Sequence, residues 1–434
     1  MRTTFGGGLS LCSAIAMGLA GSTGHPLGMI AAAGMPLACL TPATRKAAFQ
    51  STLAYYAAGL WPMVPGLERY TGQSAIVLAP LTLWIVTAVL LSLPWTMAWT
   101  LNQSHLLWRA PLALLATVIP PLGIIGLASP LAASGYLFPG TAWAGLAAIA
   151  LLPGILLLAP ALTLRRCRFV KCFAIGCCLC LAIGGHIFFS DDIAPTPGWV
   201  AVSTHLGDVS QPFRDYDAAQ FVQQEADKTS ARVIVFPESV VPRWSEATEA
   251  FWRQSLDRCR TRGQILALGA GLPAKTGTEK DDREKLSELR SYNFSAALRA
   301  LNNIDAPSSR ALSKPSPDSI DNTLLILGAE SGAFYQRVPV PIGMWQPFSR
   351  VGVPLHLGGP GILTIDHQRA AVLICYEQLL TFPILASMLQ RPTVLIGISN
   401  TFWVDGTTIP RYQANALRGW AKLFRLPYFS AVNS

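Results

Sequence analysis

The sequence predicts a two-part protein: an α-helical, multi-pass membrane domain over 1–190, followed by a layered α/β domain over 191–434. Three observations carry this. Charged residues make up 13% of the 434, against about 25% in an ordinary soluble protein. The deficit is confined to the first part, where Glu68 is the one acid before Ser190 and the other 23 follow it. Beyond Asp191, short β-branched runs alternate with segments of helical spacing, the pattern of a layered α/β domain.

Seven apolar runs centre on 8–24, 26–41, 48–66, 75–98, 110–130, 141–163 and 169–189. A bilayer crossing needs about 20 residues, and the first two runs are short and rich in glycine and alanine. A signal peptide would account for the first, but more membrane-like sequence follows it. With the N-terminus inside, Arg2, Arg45, Lys46, Arg109, Arg165, Arg166, Arg168 and Lys171 fall on the inner side, and Arg69 falls outside. That bias predicts an inner-membrane protein with its second part in the periplasm. It also accounts for most of the net charge of +9, so the basic balance does not indicate direct nucleic-acid binding.

Cysteine usage does not indicate a disulfide framework. Seven of nine cysteines precede Ser190, and Cys172, Cys177, Cys178 and Cys180 share one apolar run, where small apolar side chains pack helices. His205, His356 and His367 are too scattered for a metal site, and no cofactor is expected.

In the second part, strands are predicted at 199–206, 231–238, 264–272, 361–365, 370–374 and 393–398, with a hairpin over 322–328 and 332–340. Helices are predicted near 211–229 and 245–262. Residues 275–320 are polar and charged and read as an inserted surface loop.

Two residues stand where chemistry collects in such folds. Glu238 directly follows one buried strand, in "VFPES", and Cys375 directly follows another, in "AAVLICYEQLL". A thiol beside a carboxylate of raised pKa suits covalent acyl transfer. On spacing alone, a small buried hydrophobe and a surface turn account for the two residues better.

Taken together, "VIVFPES", "ICYEQ" and "GISNTFWVDG" resemble the carbon–nitrogen hydrolase (nitrilase) superfamily. With the preceding apolar runs, the chain is similar to the superfamily's membrane branch, the apolipoprotein N-acyltransferases. Through "FYQRVPVPIGMWQPF" it more closely resembles the TraB conjugal-transfer proteins of bacterial plasmids. The resemblance covers essentially the whole chain. It implies an α-β-β-α sandwich with a Glu–Lys–Cys triad, Glu238 matching the base and Cys375 the nucleophile. Tyr376 and Glu377 match the supporting pair, with the Tyr376 N–H as an oxyanion donor.

The lysine does not match. Its position is held by Gln336, and that of a second glutamate by Met344. Arg337 is adjacent, but successive side chains on a strand face opposite ways, so it substitutes only if a bulge turns the chain. Asn400, Phe402 and Trp403 follow the strand at 393–398, where a pocket mouth and a plain surface loop fit equally. Trp345 is by pattern an exposed-loop aromatic suited to a membrane interface or a lipid chain, and simple packing accounts for it at least as well. The family continues beyond the point matching Ser434 through further strands and a last membrane helix, so the sandwich is expected to be incomplete at one edge or completed by a partner. Three readings follow: a Cys375-dependent acyltransferase or amidase acting on a phospholipid, a lipoprotein or another membrane-proximal substrate; a degenerate enzyme serving the conjugal transfer apparatus; and lipoprotein N-acylation. The changes at Gln336 and Met344 favour the second and weigh against the third.

Overall fold

The computed structural model describes residues 7–71, 78–158, 165–189, 193–209, 211, 214–274, 320–346 and 352–434. The segment expected as an inserted loop, 275–320, lies outside the described residues except for Ile320.

Two sheets form the second part. The first has the order β1 (Trp199–Ala201), β2 (Val233–Val235), β3 (Ile265–Pro273), β4 (Ile320–Gly328) and β5 (Gly332–Tyr335). Its first three strands run parallel and the last two antiparallel. The second has the order β6 (Ile362–Ile365), β7 (Gln368–Ile374), β8 (Val394–Asn400) and β9 (Tyr428–Asn433). There β6 pairs antiparallel to β7, and β7, β8 and β9 run parallel.

The strand sequences explain the stacking. In β7, Ala370, Val372 and Ile374 face one core, which they share with Val233, Val235, Ile265, Ala267, Leu324 and Ile326 of the first sheet. The alternate residues Ala371 and Leu373 face a second core on the other side. A strand buried on both faces reads as a continuous apolar run rather than an alternation. The outer face of the first sheet, with Ile234, Phe236, Leu266 and Leu268, packs against two helices that contribute Val222, Trp252 and Leu256. Of these, Glu246–Arg262 begins at Ser245, whose side chain accepts from the Thr248 N–H, and ends at Gly263 in the left-handed region.

The first part is helical: α1 (Gly7–Ser22), α2 (Pro26–Ala32), α3 (Met35–Leu40), α4 (Arg45–Leu60), α5 (Met63–Thr71), α6 (Leu78–Ala98), α7 (Leu106–Val118), α8 (Ser134–Leu137), α9 (Trp143–Leu157) and α10 (Arg165–Phe189). Among the described residues, two helices are long and apolar enough to cross a membrane, Pro80–Ala98 and Lys171–Phe189. The run expected at 26–41 is divided between α2 and α3, since Pro36 lies in the first turn of α3 and cannot continue the preceding helix. The run expected at 110–130 stops as a helix at Val118, just before Pro120 and Pro121, and goes on as short 3₁₀ turns.

That irregular stretch is buried against the second part. Three further helices complete the layering: α11 (Arg214–Lys228) and α12 (Glu246–Arg262) on the first sheet, and α13 (Thr381–Met388) on the second, followed in the chain by α14 (Ile409–Phe424). The Gly140 and Ala142 N–H groups donate to the Lys422 and Leu423 carbonyls at the end of α14, both at 2.9 Å. The Tyr136 hydroxyl donates to the Asn415 carbonyl at 2.8 Å. Gly135 and Gly419 cross so closely that a Cβ on Gly135 would lie 1.7 Å from the Gly419 oxygen. One core joins Tyr55, Tyr56 and Trp95 of the helical part with Leu373, Leu395 and Trp420 of the sheet part.

Candidate active site

Glu238 and Cys375 come from different sheets and meet. Glu238 follows β2 through Phe236 and Pro237, and a glycine sets how near that turn comes to β3. A Cβ on Gly269 would lie 2.4 Å from the Glu238 Cα, so only glycine lets the turn rest on the strand. Cys375 opens the 3₁₀ turn Cys375–Leu379 directly after β7, with φ +49. A non-glycine residue held in that region is strained, and such strain clusters at functional positions.

The Glu238 carboxyl and the Cys375 thiol lie side by side, near enough for each to shift the pKa of the other. Glu238 is 4% exposed and Cys375 3%. Glu238 Oε1 accepts from Asn322 Nδ2 at 2.6 Å, and Oε2 from the Asn400 N–H at 2.8 Å. Burial pushes its pKa up, these donors and the thiol pull it down, and the net shift is upward. The thiol is pushed well above the usual range, first by burial and then by the charge of Glu238. The Asn400 and Tyr376 N–H groups beside the sulfur work the other way, and the Asn400 N–H is already held by Glu238 Oε2.

Gln336, fully buried, approaches this cluster from the end of β5. Its Oε1 accepts from Asn322 Nδ2 at 2.9 Å, and its Nε2 donates to the Ile374 carbonyl at 3.0 Å. Arg337 does not replace a lysine here, because no bulge turns it toward the thiol. It is 1% exposed on the opposite side of the chain, where Nε meets Glu377 Oε1 at 3.3 Å. Its Nη1 donates to the Pro383 carbonyl and Ser387 Oγ, and Nη2 to the Val372 carbonyl. Glu377 also accepts the N–H groups of Ile374, Arg337 and Val338. Burial raises its pKa and the Arg337 charge opposes the rise. Glu377 therefore ties the strained Cys375 turn to the 336–338 segment.

The remaining expected residues are distributed differently from the expectation. Asn400 is not at a mouth: its backbone holds Glu238, and its side chain accepts from Asn433 Nδ2 at 3.0 Å. Trp403 is half-buried against the core that contains Cys375. Trp345 is half-buried, not an exposed loop aromatic. A tight turn, with the Ile342 N–H donating to the Trp345 carbonyl and the Trp345 N–H to Val340, folds it with Met344 onto the core shared with the helices. Tyr376 presents its amide to the thiol and its hydroxyl, as a donor, to the Ile124 carbonyl at 3.1 Å. Two contributors were not foreseen. Asn322 lies in the polar start of β4, beside Asp321 and Thr323. Gln413, on α14, donates to the Cys375 carbonyl at 3.0 Å.

Fold and site thus define a two-sheet α/β protein with a buried cysteine–glutamate pair at the strand ends. Over 97% of its length the chain is 27% identical to a probable conjugal transfer protein TraB of Sinorhizobium fredii, covering 97% of that protein. It is 29% identical over 348 residues to the conjugal transfer protein TraB of Agrobacterium fabrum, covering 75% of this chain and 68% of that one. No family model matches. Among solved structures it is similar to an amidase from Nesterenkonia, at 11% identity and TM-score 0.29, covering 54% of this chain and 74% of that one. A variant of that amidase, described as belonging to the nitrilase superfamily, matches at 9% identity and TM-score 0.28, covering 46% and 63%.

Proposed function

We propose that this chain is a multi-pass inner-membrane protein of conjugal plasmid transfer whose periplasmic domain is a Cys375-dependent acyltransferase or amidase. The observation that carries the chemistry is the meeting of the buried Cys375 thiol and the buried Glu238 carboxyl from strand ends of different sheets. The transfer role rests on the likeness to the TraB proteins. The membrane reading is supported by the two long apolar helices and the one-sided basic residues.

In this reading Glu238 takes the thiol proton as sulfur attacks the carbonyl carbon of a membrane-proximal amide or ester. The Tyr376 N–H group meets the developing oxyanion, while the Asn400 N–H holds the Glu238 carboxyl. Collapse of the adduct breaks the bond to the leaving group, which takes the proton back from Glu238 and leaves a thioester on Cys375. An amine or water then attacks the thioester, gives its proton to Glu238, and regenerates the thiol. Asn322 and Gln336 hold the carboxyl and the strand end in register.

A second reading is favoured by one observation: Arg337, the cation next to the lysine position, is spent on Glu377. A degenerate site of this kind would serve as an assembly factor of the transfer apparatus. Mating assays with Cys375→Ala at matched protein level separate the two. A catalytic role predicts that transfer falls by roughly 10² or more, the scale on which nucleophile loss acts. Unchanged transfer leaves the scaffold role.

A further inference from the structure

Cys375 is not held by its own turn alone. Its backbone is left-handed, at φ +49, a conformation that persists only where the surroundings hold it. Gln413 of α14 reaches it from the face of the second sheet that carries Leu373 and Leu395, away from the core that contains Cys375. Its Nε2 donates to the Cys375 carbonyl at 3.0 Å.

That glutamine is kept at a cost. It is 4% exposed, and among the described residues its Oε1 has no hydrogen-bond partner. Exchanging the amide nitrogen and oxygen would set two acceptors face to face, so the carbonyl fixes the orientation. A buried acceptor left unpaired destabilises the fold, and an apolar side chain of the same size would avoid the loss. The glutamine is accounted for by the carbonyl it holds.

The same turn of α14 carries the grip of the helical part. Arg411 and Asn415 lie one turn apart on one face of the helix, and Gln413, midway between them, points from the opposite face. Arg411 Nε donates to the Thr23 carbonyl at 2.6 Å, and Asn415 Nδ2 to the Gly24 carbonyl at 2.8 Å. Thr23 and Gly24 lie between α1 and α2. Gly24 has φ +68, and a Cβ on it would lie 2.5 Å from the Tyr412 nitrogen, so only glycine lets this loop rest on the helix. One helical turn thus has the helical part on one side and the Cys375 carbonyl on the other.

Such a link has little slack. A hydrogen bond is lost by about 3.6 Å, so a shift of α14 by roughly half an ångström releases the carbonyl. A released Cys375 relaxes toward ordinary backbone. Its sulfur then moves away from Glu238, the charged group acting on it, and from the Tyr376 N–H.

We infer that Gln413 is a positioning residue for the Cys375 thiol, and that the Thr23–Gly24 loop of the helical part fixes the thiol through it. The inference rests on the reading of Cys375 as a nucleophile. It makes the helical part a component of the site.

The test uses the full chain in a non-ionic detergent. Alkylation of Cys375 by iodoacetamide is followed against pH by peptide mass, beside the thermal midpoint. Gln413→Leu removes the unpaired Oε1 together with the donor, so the midpoint should change little. The Cys375 profile should move down by about one pH unit toward that of a free thiol, about tenfold faster alkylation at a given pH below it. Conjugal transfer should fall roughly tenfold or more in the same variant, since misplacing a reacting group by about 1 Å costs up to 10². The thiol becomes easier to alkylate and worse at its task, which a loss of stability alone does not produce. Gln413→Met serves the same purpose if the leucine variant does not fold. Gly24→Ala should move the profile the same way from the far side of α14. A profile that stays with the wild type in the Gln413 variants, whatever their midpoints, overturns the positioning role. So does wild-type transfer in those variants where Cys375→Ala abolishes it. A profile moved by the Gln413 variants but not by Gly24→Ala overturns the hold by the helical part. Unchanged transfer in Cys375→Ala fails the nucleophile reading alone, and the alkylation profiles still decide what holds the thiol.

Discussion

Gln336 and Arg337 are consecutive in the chain and serve opposite sides of it. Gln336 Nε2 donates to the Ile374 carbonyl at 3.0 Å, and Arg337 Nε meets Glu377 Oε1 at 3.3 Å. The neutral residue faces the thiol cluster and the cation faces away. Cys375 is then expected to alkylate slowly with iodoacetamide near pH 7, and faster as pH rises past the ordinary thiol range. Gln336→Lys should lower the thiol pKa. Each unit of lowering gives about tenfold more thiolate below that pKa. Peptide mapping by mass spectrometry follows Cys375 separately from the exposed cysteines such as Cys12 and Cys172. Rapid alkylation of the unaltered protein at pH 6 would mean that another cation does this work.

Arg337 and Glu377 are both buried, and removing one partner strands the other. Arg337→Ala is expected to cost about 3–5 kcal/mol, the usual result of leaving a buried charge uncompensated. Near-ultraviolet circular dichroism of the purified protein during heating reads the loss. A change below about 1 kcal/mol would match an exposed pair and contradict the burial.

Asn322→Asp places a second carboxyl against Glu238. Two carboxyls at that separation share a proton, so the folded pair holds it above the range of a free carboxylate. The sign follows from linkage. With the folded pKa raised, the stability is fully present below the unfolded carboxyl pKa and is lost as pH rises through the folded value. The loss is up to about 1.4 kcal/mol per pH unit. Melting midpoints of variant and wild type should lie closest near pH 5 and separate toward pH 8. Parallel curves would show that Asn322 does not face the carboxyl.

For topology, the N-terminus is expected in the cytoplasm and the sheet domain in the periplasm. Alkaline phosphatase fused after Ser434 should be active, and a reporter that matures only in the cytoplasm should stay dark there. The reverse pair of results would invert the assignment.

The positions of Glu238 and Cys375 at strand ends were legible because each directly follows an apolar run, but spacing alone favoured a surface turn and a buried hydrophobe, and only the family resemblance paired them. The opposed facing of Gln336 and Arg337 was legible too, since strand side chains alternate. Asn322 was not: in the polar triplet Asp321-Asn322-Thr323 that precedes "LLILG", nothing local marks which residue meets Glu238 across the sheets. Gln413 was hidden because α14 was not foreseen, although Pro410 in its first turn and the apolar positions 409, 416, 417, 420 and 423 spell an amphipathic helix. For Trp345 the sequence left membrane contact and simple packing both open, because the turn that folds it inward depends on backbone bonds between Val340, Ile342 and Trp345. The run at 110–130 was read whole because hydropathy counts apolar residues and is blind to the amide hydrogens that Pro120 and Pro121 lack.

The carbonyls of Lys422 and Leu423 complete the backbone of Gly140 and Ala142, some 280 residues earlier. During synthesis those early N–H groups wait for partners until α14 has left the ribosome. At about 5–20 residues per second, the wait lasts on the order of 15–60 seconds. A nonsense mutation shortly before α14 would thus injure the first part of the protein as well as the last. The half-made chain is the form most exposed to proteases, so the cell's quality control would read late truncation as early misfolding.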